Sequence, residues 1–374
     1  MSKSVKTAFQ KDIETINHAK DMPSTQMLAN AARASGVNPI KITLDHAKLK
    51  RGRGKLRMAE YLRYGLYDRS KFSDDDRERF ISAFIHWPIF DETTKRDWWA
   101  VTEDKWLSGT FLEACKIPVP ETVGVIDRSV RLYPGTPVIK DVESLKKFLT
   151  QNKPPLFAKS QRSMWSAGAF VIDSADKEAI QIRGGDSVSY DDFFDIYVDK
   201  GAFVLQKLIK PHGFFDGITD ATATVRLINM VDDTGVFNPF AVLKLPMGNS
   251  IADNFWRTDN LVCALDTTNG EIQTLVGKTD MGYENYAALP NSDRKLIGEV
   301  LPHWDAVKSL NETVALMHHD IKYGSTDIAI TDAGPVVIEV NCGSAFELPQ
   351  IATGKGFLTD EVTAFFRAAG SKKV

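Results

Sequence analysis

Ser325-Thr-Asp-Ile-Ala-Ile-Thr-Asp-Ala-Gly-Pro-Val-Val-Ile-Glu-Val-Asn341 reads as two short strands joined by a tight turn. Ile328, Ile330, Val336, Ile338 and Val340 alternate with other residues, the period of a pleated strand. Asp332-Ala333-Gly334 makes a three-residue hairpin loop, with glycine where the backbone needs positive φ. Folding the chain about Ala333 sets Asp327 opposite Glu339. Asn341, two residues on, shares a face with Glu339. Three oxygen-bearing side chains, two of them anionic, then converge on one patch of sheet. Carboxylates held together repel unless a cation or a proton sits between them. A hard divalent cation such as Mg2+, bound by carboxylates and completed by phosphate oxygens, suits that patch. The competing reading is an acidic pair on a solvent face, so the rest of the chain has to decide.

The chain has 374 residues, 43% hydrophobic and 25% charged, which fits two or three domains around a sizeable core. A net charge of −3 gives no overall basic field for nucleic acid or a membrane surface. The basic run Lys48-Leu-Lys-Arg-Gly-Arg-Gly-Lys-Leu-Arg57 reads as a solvated face or loop. Cys115, Cys263 and Cys342 are widely spaced, with no CxxC, zinc spacing or disulfide framework. A reducing, cytoplasmic setting is therefore expected. No apolar run approaches a membrane span, and the N-terminus shows no signal-peptide pattern.

Residues 1–100 read as a helical region, with helices over Lys11–Lys20, Ser24–Ser35, Lys55–Tyr67 and Ser73–Ile89. Ser73-Asp-Asp-Asp76 supplies acidic capping at a helix start. Further helices are expected over Thr102–Cys115, Asp141–Gln151, Tyr190–Asp199 and Thr359–Ala369. Another runs through Pro290–Ile321, broken at Pro302. The span from Pro155 to Val276 is otherwise mostly strands. Strands and helices without regular βαβ alternation give an α+β fold.

Four segments carry basic chemistry. A strand ends in Lys159, and the small, polar loop after it (Ser160, Ser163, Ser166, Gly168) suits a phosphate-binding flap, where backbone N–H groups approach an anion and the ammonium adds a point charge. Phe203–Ile209 reads as a buried strand whose exit offers backbone groups to a flat ring. Thr222–Ile228 and Phe240–Leu245 each set one cation, Arg226 or Lys244, in an apolar strand. Such a charge is costly unless it reaches solvent or a partner. A bound polyanion would be one such partner.

In order, Asp104-Lys105, Lys159 with its loop, Val204–Ile209, Thr224-Val-Arg226, Lys244 and Asp327…Glu339-x-Asn341 resemble the ATP-grasp superfamily. The chain is most similar to the sugar-transfer-associated ATP-grasp proteins. Lys116-Ile-Pro-Val-Pro120, Asp253-Asn254 and the closing hairpin carry that narrower likeness. It implies an ATP-grasp fold: after the helical region, one lobe over 101–205 and a second, metal-bearing lobe over 206–374, clamping ATP between them. It further implies that Lys105 and Lys159 contact the α/β-phosphates, assisted by the flap residues Ser166 and Gly168. The backbone of Gln206, Lys207 and Leu208 would hold adenine, with His212 near the ribose. Arg226 and Lys244 would face the γ-phosphate, and Asp327, Glu339 and Asn341 would bind Mg2+. Phosphoryl transfer asks the protein mainly for positioning and charge neutralisation, which such residues supply.

Three departures stand out. Ser325 replaces the arginine that dipeptide-ligase members carry two residues before the first metal Asp. Gln206 stands where a hinge glutamate is frequent. Met164 and Trp165 replace flap glycines. The Walker-like Gly270…Gly277-Lys278-Thr279 has six residues between its glycines where four are needed. His318-His319 reads as packing or surface, and Cys342 as a small buried residue. The implied activity is an ATP-dependent carboxylate–amine ligase working through an acyl-phosphate and releasing ADP and phosphate. Its partners would be a small or glycan-linked carboxylate and an amine. The alternatives are an ATP-grasp kinase and a nucleotide-binding regulatory module without turnover.

Overall fold

Two mainly antiparallel sheets carry the strand-rich part of the chain. The structure is a computed structural model and describes residues 10, 13, 14, 22–162, 167–199, 201–257, 259–290 and 292–374. Of the expected helix Lys11–Lys20 only Ile13 and Glu14 are described, both helical, and flap residues Ser163, Met164, Trp165 and Ser166 lie outside the described residues.

The first sheet uses β1 (Thr122–Ile126), β2 (Val138–Ile139), β3 (Leu156–Ser160), β4 (Phe170–Ala175), β5 (Ala179–Ile182), β6 (Ser187–Ser189) and β7 (Phe203–Lys207). Their order is β2-β1-β7-β3-β4-β5-β6. One face is covered by the helix Val142–Gln151, which buries Leu145, Phe148 and Leu149, i, i+3 and i+4 on one stripe. Asp141 caps it, its carboxylate accepting from the Ser144 N–H at 2.8 Å.

The second sheet uses β8 (Thr224–Asp232), β9 (Gly235–Phe237), β10 (Ala241–Leu245), β11 (Leu261–Leu265), β12 (Val276–Lys278), β13 (Tyr283–Asn285), β14 (Tyr323–Thr331) and β15 (Gly334–Cys342). The order is β13-β12-β11-β10-β8-β14-β15, with β9 on β8. Its main core packs Val225, Leu227, Leu243, Cys263, Ile328 and Ile330 beneath the helix Trp304–Met317. Mixed helix and sheet, with a helical region ahead of it, is the expected fold class.

The hairpin β14–β15 pairs Asp327 with Glu339, as expected, by a different route. Thr331 pairs with Gly334, so the turn is the two residues Asp332-Ala333 and not three. A bulge then shifts the register between Asp327 and Ile328, and the extra residue restores the expected pairing. The bulge also redistributes side chains. Val337 and Val340 join the core, while Ile338 lines a cavity.

Several helix boundaries differ from expectation. Ser24–Ser35 stands as read. Lys55–Tyr67 shortens to Met58–Arg63, and Ser73–Ile89 splits into Asp74–Glu78, a 3-10 turn at Ala83–Ile85 and His86–Thr93. The gap at Phe80–Ser82 is spoken for by distant partners. Ile81 exchanges hydrogen bonds with the Gln350 amide at 2.8 and 2.9 Å, and the Ser82 N–H donates to the Gly54 carbonyl at 2.8 Å. Gly54 has to be glycine there, because a Cβ would lie 1.8 Å from the Phe80 carbonyl oxygen. Pro290–Ile321 is helical only over Trp304–Met317; upstream, Ile272 exchanges backbone bonds with Gly298 and Glu299 at 2.8 Å. Pro39–Arg51 is a helix the sequence reading passed over, with Asn38 as its cap and Pro39 at its first position. Its last turn begins the basic run, and in the remainder Gly54 and Leu56 are buried while Arg57 stacks on Phe84 at 4.4 Å.

Candidate functional site

A cavity of about 360 Å³ opens between the two sheets. Strand ends and one helix start aim the expected residues into it. β3 delivers Lys159, β8 delivers Arg226, β10 delivers Lys244, and the hairpin delivers Asp327, Glu339 and Asn341. Lys105 opens the helix Lys105–Ala114. Its predecessor Asp104 is a structural hub and not a ligand-facing group. The Asp104 carboxylate caps the helix by accepting from the Leu107 N–H at 3.1 Å, and it also accepts from Arg131 at 2.5 Å and Gln161 at 3.2 Å.

Asp327 pairs across the ladder with Arg226, which fixes their contact. The guanidinium donates from Nε to Oδ1 and from a terminal nitrogen to Oδ2, both at 2.7 Å. Lys244 donates to Oδ2 at 2.8 Å. Only 3% of the Asp327 side chain is exposed. Burial raises its carboxyl, but Arg226 and Lys244 outweigh that and hold it well below the usual carboxylate range. Lys244 also meets Asp253 at 2.7 Å, and Thr224 donates its hydroxyl proton to the same Asp253 carboxylate. Ser325 itself pairs with Ile228, and the guanidinium beside Asp327 comes from Arg226 on the neighbouring strand.

Lys105 meets Glu339 at 3.0 Å. Burial raises Glu339, and Lys105 and Lys159 bring it below the ordinary value. Lys159 donates to the Ile338 carbonyl at 3.2 Å, at the bulge. Burial pushes the Lys159 ammonium down to about 8, with Glu339 opposing the fall. This bond reaches from the first sheet to the second, across the cavity. Around the hairpin, four cations (Lys105, Lys159, Arg226, Lys244) face three carboxylates (Asp253, Asp327, Glu339). The repulsion expected between Asp327 and Glu339 is already answered by protein cations.

The hairpin's donor set suits a hard divalent cation. Glu339 and Asn341 present oxygens on one face, and the Asn341 amide nitrogen is buried without a partner, as is the Ser325 hydroxyl opposite it. Among the described residues, no group of three or more His, Cys, Asp or Glu could hold a metal ion. A cation here would therefore draw further ligands from phosphate oxygens.

The remaining expected residues divide. Gln206 and Lys207 line the cavity, but β7 is central in its sheet, and the Lys207 N–H is taken by the Glu121 carbonyl at 3.0 Å. Free backbone begins at Leu208 and Ile209, which also line the cavity. The Lys207 ammonium pairs with Glu121 at 2.7 Å. Gly168 sits at φ 73 beside the flap. His212 is not brought to the cavity. Its Nδ1 accepts from the Phe214 N–H at 2.9 Å, and its ring lies 3.9 Å from Asp332 at the hairpin tip. His318 packs against Trp98 and Phe111, and burial pushes the Cys342 thiol up to about 12, so neither is a reactive group.

Of the far end of the cavity, sequence reasoning marked only Asp253, Trp256 and Arg257, as a place where a substrate loop could lie, without ranking them above surface residues. His86 and Trp87 reach it from the helical region, Phe255 and Trp256 from the loop after Asp253, and Glu347 and Leu348 from the helix Glu347–Thr353. The signal was a tryptophan-rich stretch near residues 87–99, which reads equally as packing.

The sequence model of the family described as sugar-transfer associated ATP-grasp matches residues 91–364. No curated protein matches by sequence. Among solved structures, the chain is similar to an ADP complex of N5-carboxyaminoimidazole ribonucleotide synthetase (TM-score 0.41, 9% identity, covering 71% of this chain and 52% of that one). It is also similar to biotin carboxylase from Campylobacter jejuni (TM-score 0.39, 12% identity, 73% and 47%). D-alanine–D-alanine ligase from Bacillus anthracis is a third (TM-score 0.35, 12% identity, 72% and 67%). The chain thus spans about half the length of the first of these. No helix among the described residues is long and apolar enough to cross a membrane.

Proposed function

The chain belongs to the sugar-transfer associated ATP-grasp family, and from that premise we propose that it is an ATP- and Mg2+-dependent carboxylate–amine ligase. One observation carries the reading: four cations from both sheets and a helix start converge on the cavity wall made by the Asp327–Glu339 pair. That is the equipment for a triphosphate, not for a lone metal ion.

Lys105 and Lys159 would leave Glu339 and the Ile338 carbonyl to grip phosphate oxygens. Arg226 and Lys244 would stabilise charge on the transferring phosphoryl group. Leu208 and Ile209, past the end of β7, offer the first free backbone for a purine, with Gln206 and Lys207 as the strand beneath. Asp327, Glu339 and Asn341 are the residues that would hold Mg2+, whose contribution when bound is to neutralise phosphate charge. A substrate carboxylate placed among the cations would take the γ-phosphoryl group. Its acyl-phosphate would then be attacked by an amine, forming a C–N bond as phosphate leaves with the C–O electron pair. The cavity between the two sheets would shield that intermediate from water.

The test is product analysis across a panel of carboxylates and amines. The proposal expects Mg2+-dependent release of ADP and phosphate that requires both partners. AMP and pyrophosphate as products would overturn it, and phosphate retained on an acceptor would convert it to a phosphotransferase.

A further inference from the structure

The helix Pro39–Arg51 carries two distinct stripes. Ile42, His46 and Leu49, at i, i+4 and i+7, are buried, and Ile42 and Leu49 join the core of the helical region. The opposite stripe, Ile40, Leu44, Ala47, Lys48 and Arg51, falls at i, i+4, i+7, i+8 and i+11 and turns outward. Ile40 is 69% exposed and Leu44 68%. One exposed apolar side chain is ordinary. Two large ones stacked a turn apart, on the face the fold does not use, form a patch that water solvates poorly. No residue of this helix lines the cavity between the sheets, so nucleotide chemistry does not account for the patch.

Positive charge surrounds it. From Pro39 to Arg57 seven Lys and Arg stand against one acid, Asp45, in a chain whose net charge is −3. Lys41 and Lys50 flank the outward stripe on either side, and both are exposed, as are Lys48 and Arg51. Asp45 is turned inward. Its carboxylate accepts from Tyr61 at 2.7 Å and Arg69 at 2.6 Å, and Arg77 donates to it as well. Of the acids on the neighbouring helix, Asp74 is matched by Arg69 and Arg77, and Asp75 by Arg79. Glu78 borders the patch at 4.0 Å from Lys48, with 52% and 63% of the two side chains exposed, and such a contact counts for little in water.

A soluble polyanion would engage the cations and leave Ile40 and Leu44 in water. A surface with fixed negative charge above an apolar layer engages both. The helix is about 20 Å long. Lying flat, it would set its two apolar side chains below the headgroups while Lys41, Lys48, Lys50 and Arg51 stay level with the lipid phosphates. We propose that the outward face of the helix Pro39–Arg51 docks the protein on an anionic phospholipid bilayer, with Ile40 and Leu44 inserted at the interface and the flanking cations on the headgroups. The proposal does not depend on the ligase reading.

The experiment sediments the full chain with vesicles of phosphatidylcholine alone and with about 30 mol% phosphatidylglycerol added, and titrates heparin separately as a soluble polyanion. Each cation close to an anionic surface is worth about fivefold in partitioning. The chain should bind the anionic vesicles at least about tenfold better than the neutral ones, and lose most of that binding between about 0.1 and 0.5 M NaCl. Lys48→Gln combined with Arg51→Gln should weaken binding to vesicles by about tenfold or more, and to heparin as well. Ile40→Asn combined with Leu44→Asn should weaken vesicle binding by about tenfold and leave heparin binding unchanged. All four positions are exposed, and thermal unfolding of each variant checks that the fold survives. Equal binding to neutral vesicles, no binding to anionic vesicles at millimolar lipid, or vesicle binding unchanged in either folded variant would each overturn the proposal. Vesicle binding that ignores the Ile40 and Leu44 substitutions, with heparin bound as tightly, would reassign the face to a soluble polyanion. Nucleotide affinity, read on the same samples, bears on the ligase reading alone.

Discussion

Replacing Arg226 by methionine and Asp327 by asparagine, singly and together, tests whether the hairpin's charge is neutralised as the geometry requires. The two side chains share a bidentate pair at 2.7 Å, with 17% and 3% of their surfaces exposed. Breaking a buried pair by removing one member leaves the other charge uncompensated, a loss of about 3–5 kcal/mol. Arg226→Met belongs near the lower end, about 3 kcal/mol, because Lys244 still donates to Asp327 at 2.8 Å. Asp327→Asn belongs near the upper end, about 5 kcal/mol, because it strips a carboxylate from both Arg226 and Lys244. Lys244 retains Asp253 at 2.7 Å, whereas among the described residues Arg226 has no second carboxylate within hydrogen-bond distance. The double variant removes both charges, so its loss should fall short of the sum by about 2 kcal/mol or more. The assay is urea unfolding without nucleotide, followed by tryptophan fluorescence and circular dichroism together. Losses that add to within about 0.5 kcal/mol would refute the pairing argument.

Three further outcomes follow from the same geometry. Glu339→Gln should cut turnover by about 10²–10³-fold while the circular dichroism spectrum is unchanged, and full activity in that variant would remove Glu339 from the metal wall. Mg2+ alone should raise the unfolding temperature little, because the cations around the hairpin already outnumber its carboxylates, whereas Mg2+ with ATP should raise it by several degrees, as mass action requires at saturating ligand. Lys159 sits at about 8 in the ligand-free protein against an ordinary 10.5, so between those values the unfolded chain binds more protons and ligand-free stability rises with pH. Bound phosphate restores the charge, so ATP binding near pH 9 should be accompanied by proton uptake. Calorimetry in buffers of different ionisation enthalpy reads this directly, and Lys159→Met should abolish it.

The hairpin was legible because period-2 alternation and a glycine-marked turn are local signals. Its turn length was not, because the bulge at Ile338 depends on pairing with β14 and leaves no mark in composition. The facing of Asp327 and Glu339 came out as expected because two departures, a shorter turn and an extra residue, cancel. The Ser73–Ile89 helix failed for a related reason: its central backbone groups are bonded to Gln350 and Gly54, far off in sequence. Pro39–Arg51 carried a readable start signal, and its basic tail drew attention away from it.

The site divides along the same line. Lys159, Arg226 and Lys244 stood out because a cation in or beside an apolar strand is conspicuous, whereas Lys105 stood out only through the family resemblance of Asp104-Lys105. Their pairing with Asp327 and Glu339 was not, since a ladder partner is invisible until the sheet order is known. His212 was misplaced by proximity in sequence: it follows the hinge strand but turns towards the hairpin tip. His86, Glu103, Asp253 and Glu347 come from four separate segments, and only the packing of the helical region against the second sheet gathers them.

The most direct test of the ligase account is oxygen transfer. The substrate carboxylate that supports turnover is labelled with 18O, and the released phosphate is examined by 31P NMR for the isotope shift. Passage through an acyl-phosphate predicts one 18O atom in each phosphate formed. Phosphate without label, released at the full rate of turnover, would contradict it.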